Sequence, residues 1–435
     1  MRELHTGLRF YSILPLFCAL LASAILTGCV SSGGYNTQPW QEANRSSQQT
    51  AAQTPNDLSI ASVEQHNLGA PNQTQGNALP PVKVAILLPL SGQHSKLGQS
   101  MLNAAQIALF DVGYDNFELL PKDTKGTPEG AREAARNALK DGAKLVLGPV
   151  FSSSVKAARQ VTQSANINMI AFSTDWTLAN NRTFLIGFLP FDQVERVIRY
   201  ASHAGYNRIG VLSPRNSYGN GVVSAYQSIS RRVGIETSRI ERFAPQGNDL
   251  GPIIKSFSDY DARRASGNAH GAPFNAILMP VGGTVARQVS SFLNHYDLPA
   301  GQVKRLGTGL MDDPALARDK TMDGTWFAAP APAARMKFER RYNGIYHATP
   351  PRIASLAYDA TALAASLART GLQYDNRPAY NHNAITNPNG FSGVDGIFRF
   401  RSDGIVERGL AILEYRKGII VVIDKAPKTF QKNVF

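Results

Sequence analysis

Cysteine is almost absent: the 435 residues hold two, Cys18 and Cys29. A pair so close to the N-terminus cannot staple a body of this size, so stability has to come from a large apolar core. Thiol redox exchange through a Cys-x-x-Cys pair is excluded with it. The local patterns of common catalytic machinery are also missing. There is no Gly-x-Ser-x-Gly elbow, no phosphate-cradling Gly-x-x-x-x-Gly-Lys loop and no His-Glu-x-x-His. The eight histidines are dispersed, none at helical i,i+3 or i,i+4 spacing, which argues against a helical metal site. These absences predict a protein that is not an enzyme. Acidic residues are fewer than basic ones, 32 against 45, for a net charge of +13. The basic residues are scattered rather than gathered into an arm, so the surface is weakly anion-seeking.

What is present at the N-terminus is a targeting pattern. Arg2 and Arg9 precede an apolar stretch, 11–25, of about 15 residues, too short to span a bilayer comfortably and typical of a signal peptide. Leu26-Thr27-Gly28-Cys29 then resembles the lipobox of bacterial lipoproteins. That resemblance implies cleavage of 1–28 and a covalent lipid on Cys29, with no other cofactor expected. Val30 and Ser31, lacking an Asp, imply sorting to the outer membrane with the body facing the periplasm, where no nucleic acid is met. Residues 29–81 read as lipidated Cys and polar tether: Arg45-Ser46-Ser47-Gln48-Gln49-Thr50 and Pro71-Asn72-Gln73-Thr74-Gln75-Gly76-Asn77 are too poor in apolar side chains to offset ordering entropy. Fifty such residues reach roughly 40 Å as a flexible coil and roughly 165–180 Å fully extended.

From Val82 a strand–helix rhythm begins. Strands are predicted at 82–88, 117–120, 144–147 and 168–171. Helices fall at 97–110, at 128–139 with Thr127 as N-cap and Pro128 at the first position, and at 154–164. The pattern then resets, with strands at 208–212, 276–279 and 304–306 and helices at 193–203, 219–232, 250–265 and 285–295. Near-continuous apolar strands alternating with helices imply parallel sheets covered on both faces. The last region holds helices at 338–346 and 354–369. Strands follow at 396–400, 411–414 and 419–423, joined by turns at 402–404 and 416–418. The fold class is α/β: two Rossmann-like lobes with mostly parallel sheets and a multi-strand hinge. Residues 82–190 with 330–390 form lobe 1, and 191–329 with 391–425 form lobe 2.

Several short motifs, in order, resemble the leucine/isoleucine/valine-binding family of type I periplasmic binding proteins. They are Leu90-Ser91-Gly92 with Gly98; 141–149 with Ser152-Ser153-Ser154; Ile170-Ala171-Phe172-Ser173-Thr174; Tyr218-Gly219-Asn220-Gly221; and Phe391-Ser392-Gly393-Val394-Asp395-Gly396 with Asp403-Gly404. With the lipobox and tether, the chain is most similar to penicillin-binding protein activator lipoproteins. No repeat at a period of about 34 residues is found, although the best-known activators carry a helical-repeat domain.

The resemblance implies a ligand cleft at the carboxyl ends of the strands. Its candidate residues are Ser91, Ser152, Ser153, Ser154, Ser173, Thr174, Trp176, Tyr218 and Asp312. Ser152–Ser154 either hold a carboxylate or cap a helix; Ser173 and Thr174 form a second carboxylate clamp. Asp175 beside that clamp would repel an amino-acid carboxylate, and Trp176 would fill volume. Tyr218 packs against ligand or forms part of the rim, Asp312 is the candidate ammonium partner, and Asp313 before Pro314 reads as an N-cap. The expected function is a scaffold or activator of a peptidoglycan synthase, a bifunctional penicillin-binding protein. The alternative is an amino-acid or small-amide receptor partnered with an ABC permease. Replacing Cys29 by Ser is expected to move the chain from the membrane to the soluble fraction of lysed cells; unchanged membrane recovery would count against the lipid anchor.

Overall fold

Seven consecutive residues, Val82–Leu88 (β1), bury every side chain but that of Lys83, as a strand covered on both faces must. The computed structural model describes residues 80–267 and 271–431. Beside β1 lie β2 (Phe117–Asp123), β3 (Leu145–Leu147), β4 (Met169–Ala171) and β5 (Thr183–Leu185), in the order β2-β1-β3-β4-β5, all parallel. The connecting helices are α1 (Ser95–Val112), α2 (Pro128–Lys140) and α3 (Ser152–Ser164). As the sequence predicts, Thr127 caps α2, its Oγ1 accepting from the Gly130 N–H at 3.0 Å.

After α4 (Pro190–His203) the chain builds a second sheet from β6 (Arg208–Pro214), β7 (Glu236–Phe243), β8 (Ala276–Leu278), β9 (Lys304–Gly307) and β10 (Trp326–Ala329). The intervening helices are α5 (Ser217–Val233), α6 (Leu250–Phe257), α7 (Tyr260–Ala265), α8 (Gly283–His295) and α9 (Pro314–Ala317). The single helix expected over 250–265 is broken because Asp259 adopts a left-handed conformation, φ 51°, and pairs with Arg239 at 2.6 Å. Helices α10 (Pro332–Tyr346), α11 (Ala354–Asp375) and α12 (His382–Ile385) follow, then a three-stranded sheet of β11 (Phe391–Gly393), β12 (Gly396–Phe400) and β13 (Val406–Arg408). The chain ends in a hairpin, β14 (Ala411–Arg416) and β15 (Ile419–Asp424), added antiparallel to β10. The second sheet is thus seven-stranded, β15-β14-β10-β9-β8-β6-β7.

One apolar cluster surrounds the first sheet, and it includes Leu356, Leu363, Phe398, Phe400 and Val406. Two more cover the faces of the second sheet. The expected assignment of 391–425 to the second lobe therefore divides. Phe398 and Phe400 pack β12 into the first core, and the Leu185 N–H donates to the Gly404 carbonyl at 2.9 Å. Only β14 and β15 join the second sheet. The 402–404 turn joins β12 to β13 rather than to β14. The chain crosses between the two bodies at 186–189, 330–331 and 409–410.

Glycine is required where α1 leaves β1. A Cβ on Gly98 would lie 2.1 Å from the Pro89 carbonyl oxygen, main chain at the exit of a strand buried at all but Lys83. Gly98→Ala is expected to cost about 1–3 kcal/mol, seen as a lower urea midpoint at unchanged slope; an unshifted midpoint would show that the β1–α1 approach yields.

Candidate functional site

Each sheet reverses its strand order once, at β1 in the first and at β6 in the second. Loops leaving the carboxyl ends of strands at such a point diverge and open a crevice. In the second body the loop after β6 brings Pro214, Asn216 and Tyr218, and the loop after β8 brings Pro280, Val281 and Gly282, to a cleft of about 770 Å³. Asn216 caps α5, accepting from the Gly219 N–H at 2.8 Å. Gly219 itself is fixed by contact, since a Cβ there would lie 2.0 Å from the Pro214 oxygen. Facing this wall from the first body are Thr174, Arg335, Glu339 and Arg352, with Phe188 from the first crossing.

Of the residues expected at the cleft, Thr174, Tyr218 and Asp312 line it. The others do not, each for a local reason. Ser91 Oγ donates to Asp123 Oδ2 at 2.6 Å, while the N–H groups of Leu90, Ser91 and Lys125 bond Asp123 Oδ1. Burial would raise the Asp123 carboxyl, but these bonds outweigh it and hold the pKa below the ordinary value. Ser91 therefore ties a loop. Ser152 and Ser153 are exposed on the first turn of α3, and the N-cap position is Phe151, so neither caps the helix by its side chain. Ser154 is fully buried in the first core. Ser173 Oγ accepts from the Asp175 N–H at 3.1 Å.

The Asp175 carboxylate turns onto its own loop, accepting from Thr177 N–H and Oγ1 at 3.3 and 2.7 Å. The carboxylate is thus directed at its own loop, and Asp175 does not line the cleft. Trp176 meets Phe191 edge-on at 5.7 Å, and its Nε1 lies 3.1 Å from where a Cβ on Gly221 would sit. It wedges the first body against α4 and α5 instead of filling the cleft. Tyr218 donates to Thr308 Oγ1 at 2.9 Å, and burial pushes its phenol well above the usual value, so it stays protonated. Asp313 caps α9 through the Ala315 N–H at 2.8 Å, as expected.

Asp312, expected to meet an ammonium group, is already held by two guanidinium groups: Arg335 Nη2 at 2.8 Å and Arg352 Nε at 3.5 Å. From Arg352 the charges continue inward. Its Nη2 lies 2.7 Å from Oδ1 of the fully buried Asp395, whose Oδ2 accepts from Ser355 Oγ at 2.6 Å. Burial alone would raise the Asp395 pKa, but Arg352 and Arg408 reverse it and hold the carboxyl below the ordinary range. Asp359, buried beside it and repelled by its charge, goes the other way; its Oδ1 accepts from the Val394 N–H at 2.7 Å. The rings and cations interleave as well. Phe188 lies 4.3 Å from the Arg352 guanidinium and 5.0 Å from that of Arg408. Sequence reasoning missed Arg335, Arg352, Asp359 and Arg408 because no local pattern marks them; Asp395 lies within the Phe391-Ser392-Gly393-Val394-Asp395-Gly396 motif, which gives no sign of its buried partners.

A model of the periplasmic binding protein family matches residues 81–418. The chain belongs to the periplasmic binding protein family. Its two bodies with three crossings are the type I fold of that family. A Leu/Ile/Val/Thr-binding protein of Salmonella typhimurium is 23% identical over 184 residues, 40% of this chain and 50% of that one. The chain spans about half the length of the curated relatives it matches. Among solved structures, an ABC transporter substrate-binding protein of Sphaerobacter thermophilus superposes with a TM-score of 0.62 at 19% identity, covering 79% of this chain and 97% of that one. A solute-binding protein of an ABC transporter from Rhodopseudomonas palustris, in complex with 3,4-dihydroxybenzoic acid, gives 0.60 at 16% identity, covering 81% and 99%. At these identities the structures share the fold. Among the described residues no group of three or more His, Cys, Asp or Glu could hold a metal ion.

In this binding protein the first turn of α4 is tied to the short third sheet through Asp192, whose Oδ2 accepts from the Arg408 N–H at 2.8 Å. Burial pushes its pKa up to about 7. The folded chain then keeps a proton that the unfolded chain releases near pH 4. Stability from this group is complete below pH 4 and falls as pH rises to about 7. Asp192→Asn keeps the acceptor and removes the ionisation. The variant is expected to match the parent in urea midpoint at pH 4 and to exceed it at pH 8; a constant offset across that range would refute the assignment.

Proposed function

We propose that the chain is the solute receptor of an ABC importer, taking up a small zwitterion with an apolar body, the amino-acid class, and presenting it to a permease. One observation carries this reading: a single open cleft combines an apolar wall with charges of both signs. Pro280, Val281 and the half-exposed Leu310 supply the wall, Glu339 an acid, and Arg335 and Arg352 the cations. At Gly282 the N-terminus of the 13-residue α8 opens toward the cleft without a side-chain cap, where free N–H groups favour a carboxylate. With Asp312 held by two arginines and Asp313 capping α9, Glu339, whose one ion pair is a long 3.5 Å contact to Arg335, is the acid proposed to meet an ammonium group.

The relatives support the same class. The Salmonella protein is named for Leu, Ile, Val and Thr, and the Rhodopseudomonas protein holds an aromatic acid; each ligand joins a carboxylate to a further body. The synthase-activator expectation leaned on the long tether, on outer-membrane sorting and on the altered Asp175-Trp176 loop. With Asp175 folded onto Thr177 and Trp176 outside the cleft, the loop no longer favours that reading, and the family match and the relatives favour a receptor. Cys29, outside the described residues, remains in this proposal as the outer-membrane anchor, and the 29–81 segment as the tether that lets the body meet its permease away from the lipid.

The test is a thermal-shift screen of the full chain against free amino acids and benzoates. A ligand at 100 times its Kd is expected to add about 2.7 kcal/mol. Glu339→Gln is expected to weaken an amino acid about tenfold, ~1.4 kcal/mol. Silence with every amino acid and aromatic acid would remove the receptor reading.

A further inference from the structure

A second cavity, of about 520 Å³, lies between α1, α10, α11 and β11 and shares no lining residue with the cleft. It faces the opposite side of α10: Arg335 and Glu339 point to the cleft, while Ala334, Lys337, Phe338 and Arg341 line the second cavity. Its floor is apolar, built from Ile107, Phe338, Ala362 and Val394, with Phe338 set edge-on against Tyr358 at 5.6 Å. Phe110, 63% exposed, extends apolar surface beside it, and the Arg341 guanidinium lies 5.7 Å from that ring.

The charges around this floor do not balance. The one acid in the lining, Asp111, is taken by two partners: it pairs with Arg341 and accepts from the Tyr358 hydroxyl at 2.7 Å. Lys337 and Arg369 stand exposed at the mouth, and among the described residues neither forms an ion pair with an acid. Two uncompensated cations therefore overlook an apolar concavity. Ligand pockets have this construction, a mostly apolar lining with a few converging polar groups that fix orientation. A guanidinium at the rim suits a planar carboxylate through paired N–H donors. Ser392, also in the lining, adds a hydroxyl.

We infer that this cavity is a second binding site, for an organic anion that joins a carboxylate to an apolar body. The apolar body rests on Phe338 and Val394, and the carboxylate meets Arg369 and Lys337. The site is independent of the cleft and of the solute proposed for it.

The probe is 4-phenylbutyrate, titrated calorimetrically into the full chain, with leucine binding measured in a separate titration so that either site can fail alone. One equivalent is expected to bind. The Lys337→Gln/Arg369→Gln double variant and the uncharged 4-phenylbutanamide are each expected to lose at least tenfold in affinity. Both replaced side chains are exposed, so a melting curve should stay unchanged and the affinity alone reads the site. Ala362→Phe, which fills the floor, is expected to abolish the heat of binding. Absence of binding by the parent chain, equal affinity in the double variant, or equal affinity for the amide would each overturn the proposal. So would competition between 4-phenylbutyrate and leucine, which would place the probe in the cleft.

Discussion

Phe188, set between the guanidinium groups of Arg352 and Arg408, is the point around which the two bodies are organised. It sits on the first crossing segment. Arg352 comes from the approach to α11 and Arg408 from the end of β13, just before the third crossing. Each cation then binds on: Arg352 to Asp312 and Asp395, Arg408 through Nη2 to the Ile186 carbonyl at 2.6 Å. Removing these charges from water is costly, and the cost is offset only when several partners from different segments converge on one geometry. None of the three crossings could satisfy the cluster by itself.

The same arrangement explains why the cleft has its character. Asp312 and Arg352 belong both to the charge cluster and to the cleft lining. The floor of the cleft is thus the outer end of the structural network, and its polarity is set by the residues that hold the bodies in register. Asp359 and Asp395 illustrate how finely burial divides similar groups. Both are buried carboxyls, but Asp395 has Arg352 at 2.7 Å and stays ionised, whereas Asp359 has backbone N–H donors and a negative neighbour. A carboxyl displaced upward beside one displaced downward keeps the interior close to neutral.

Trp176 supplies a second contact between the bodies. Its ring meets Phe191 and the backbone face of α5 at Gly221, so the Tyr218-Gly219-Asn220-Gly221 run serves two purposes. Its first glycine lets α5 start against the end of β6, and its second admits an indole from the other body. The tyrosine of the run remains free to border the cleft, with its hydroxyl fixed on Thr308.

Strands such as Val82–Leu88 and the Thr127 cap of α2 were legible from residues alone because burial on both faces and an orphaned helix N–H leave a mark within a few positions. The polar edge strand Glu236–Phe243 and the four-residue strand Trp326–Ala329 carried no such mark and were missed. At the site, the sequence by itself determined the strand-end loops and placed Thr174, Tyr218 and Asp312 at the cleft. Tertiary structure decided the rest. Whether Ser91, Ser152 or Asp175 faces the cleft depends on the last torsions of a loop, and Asp312 meets Arg335 and Arg352 across 23 and 40 residues of chain. Local patterning records burial and capping; pairing of charges over such separations exists only once the bodies have folded together.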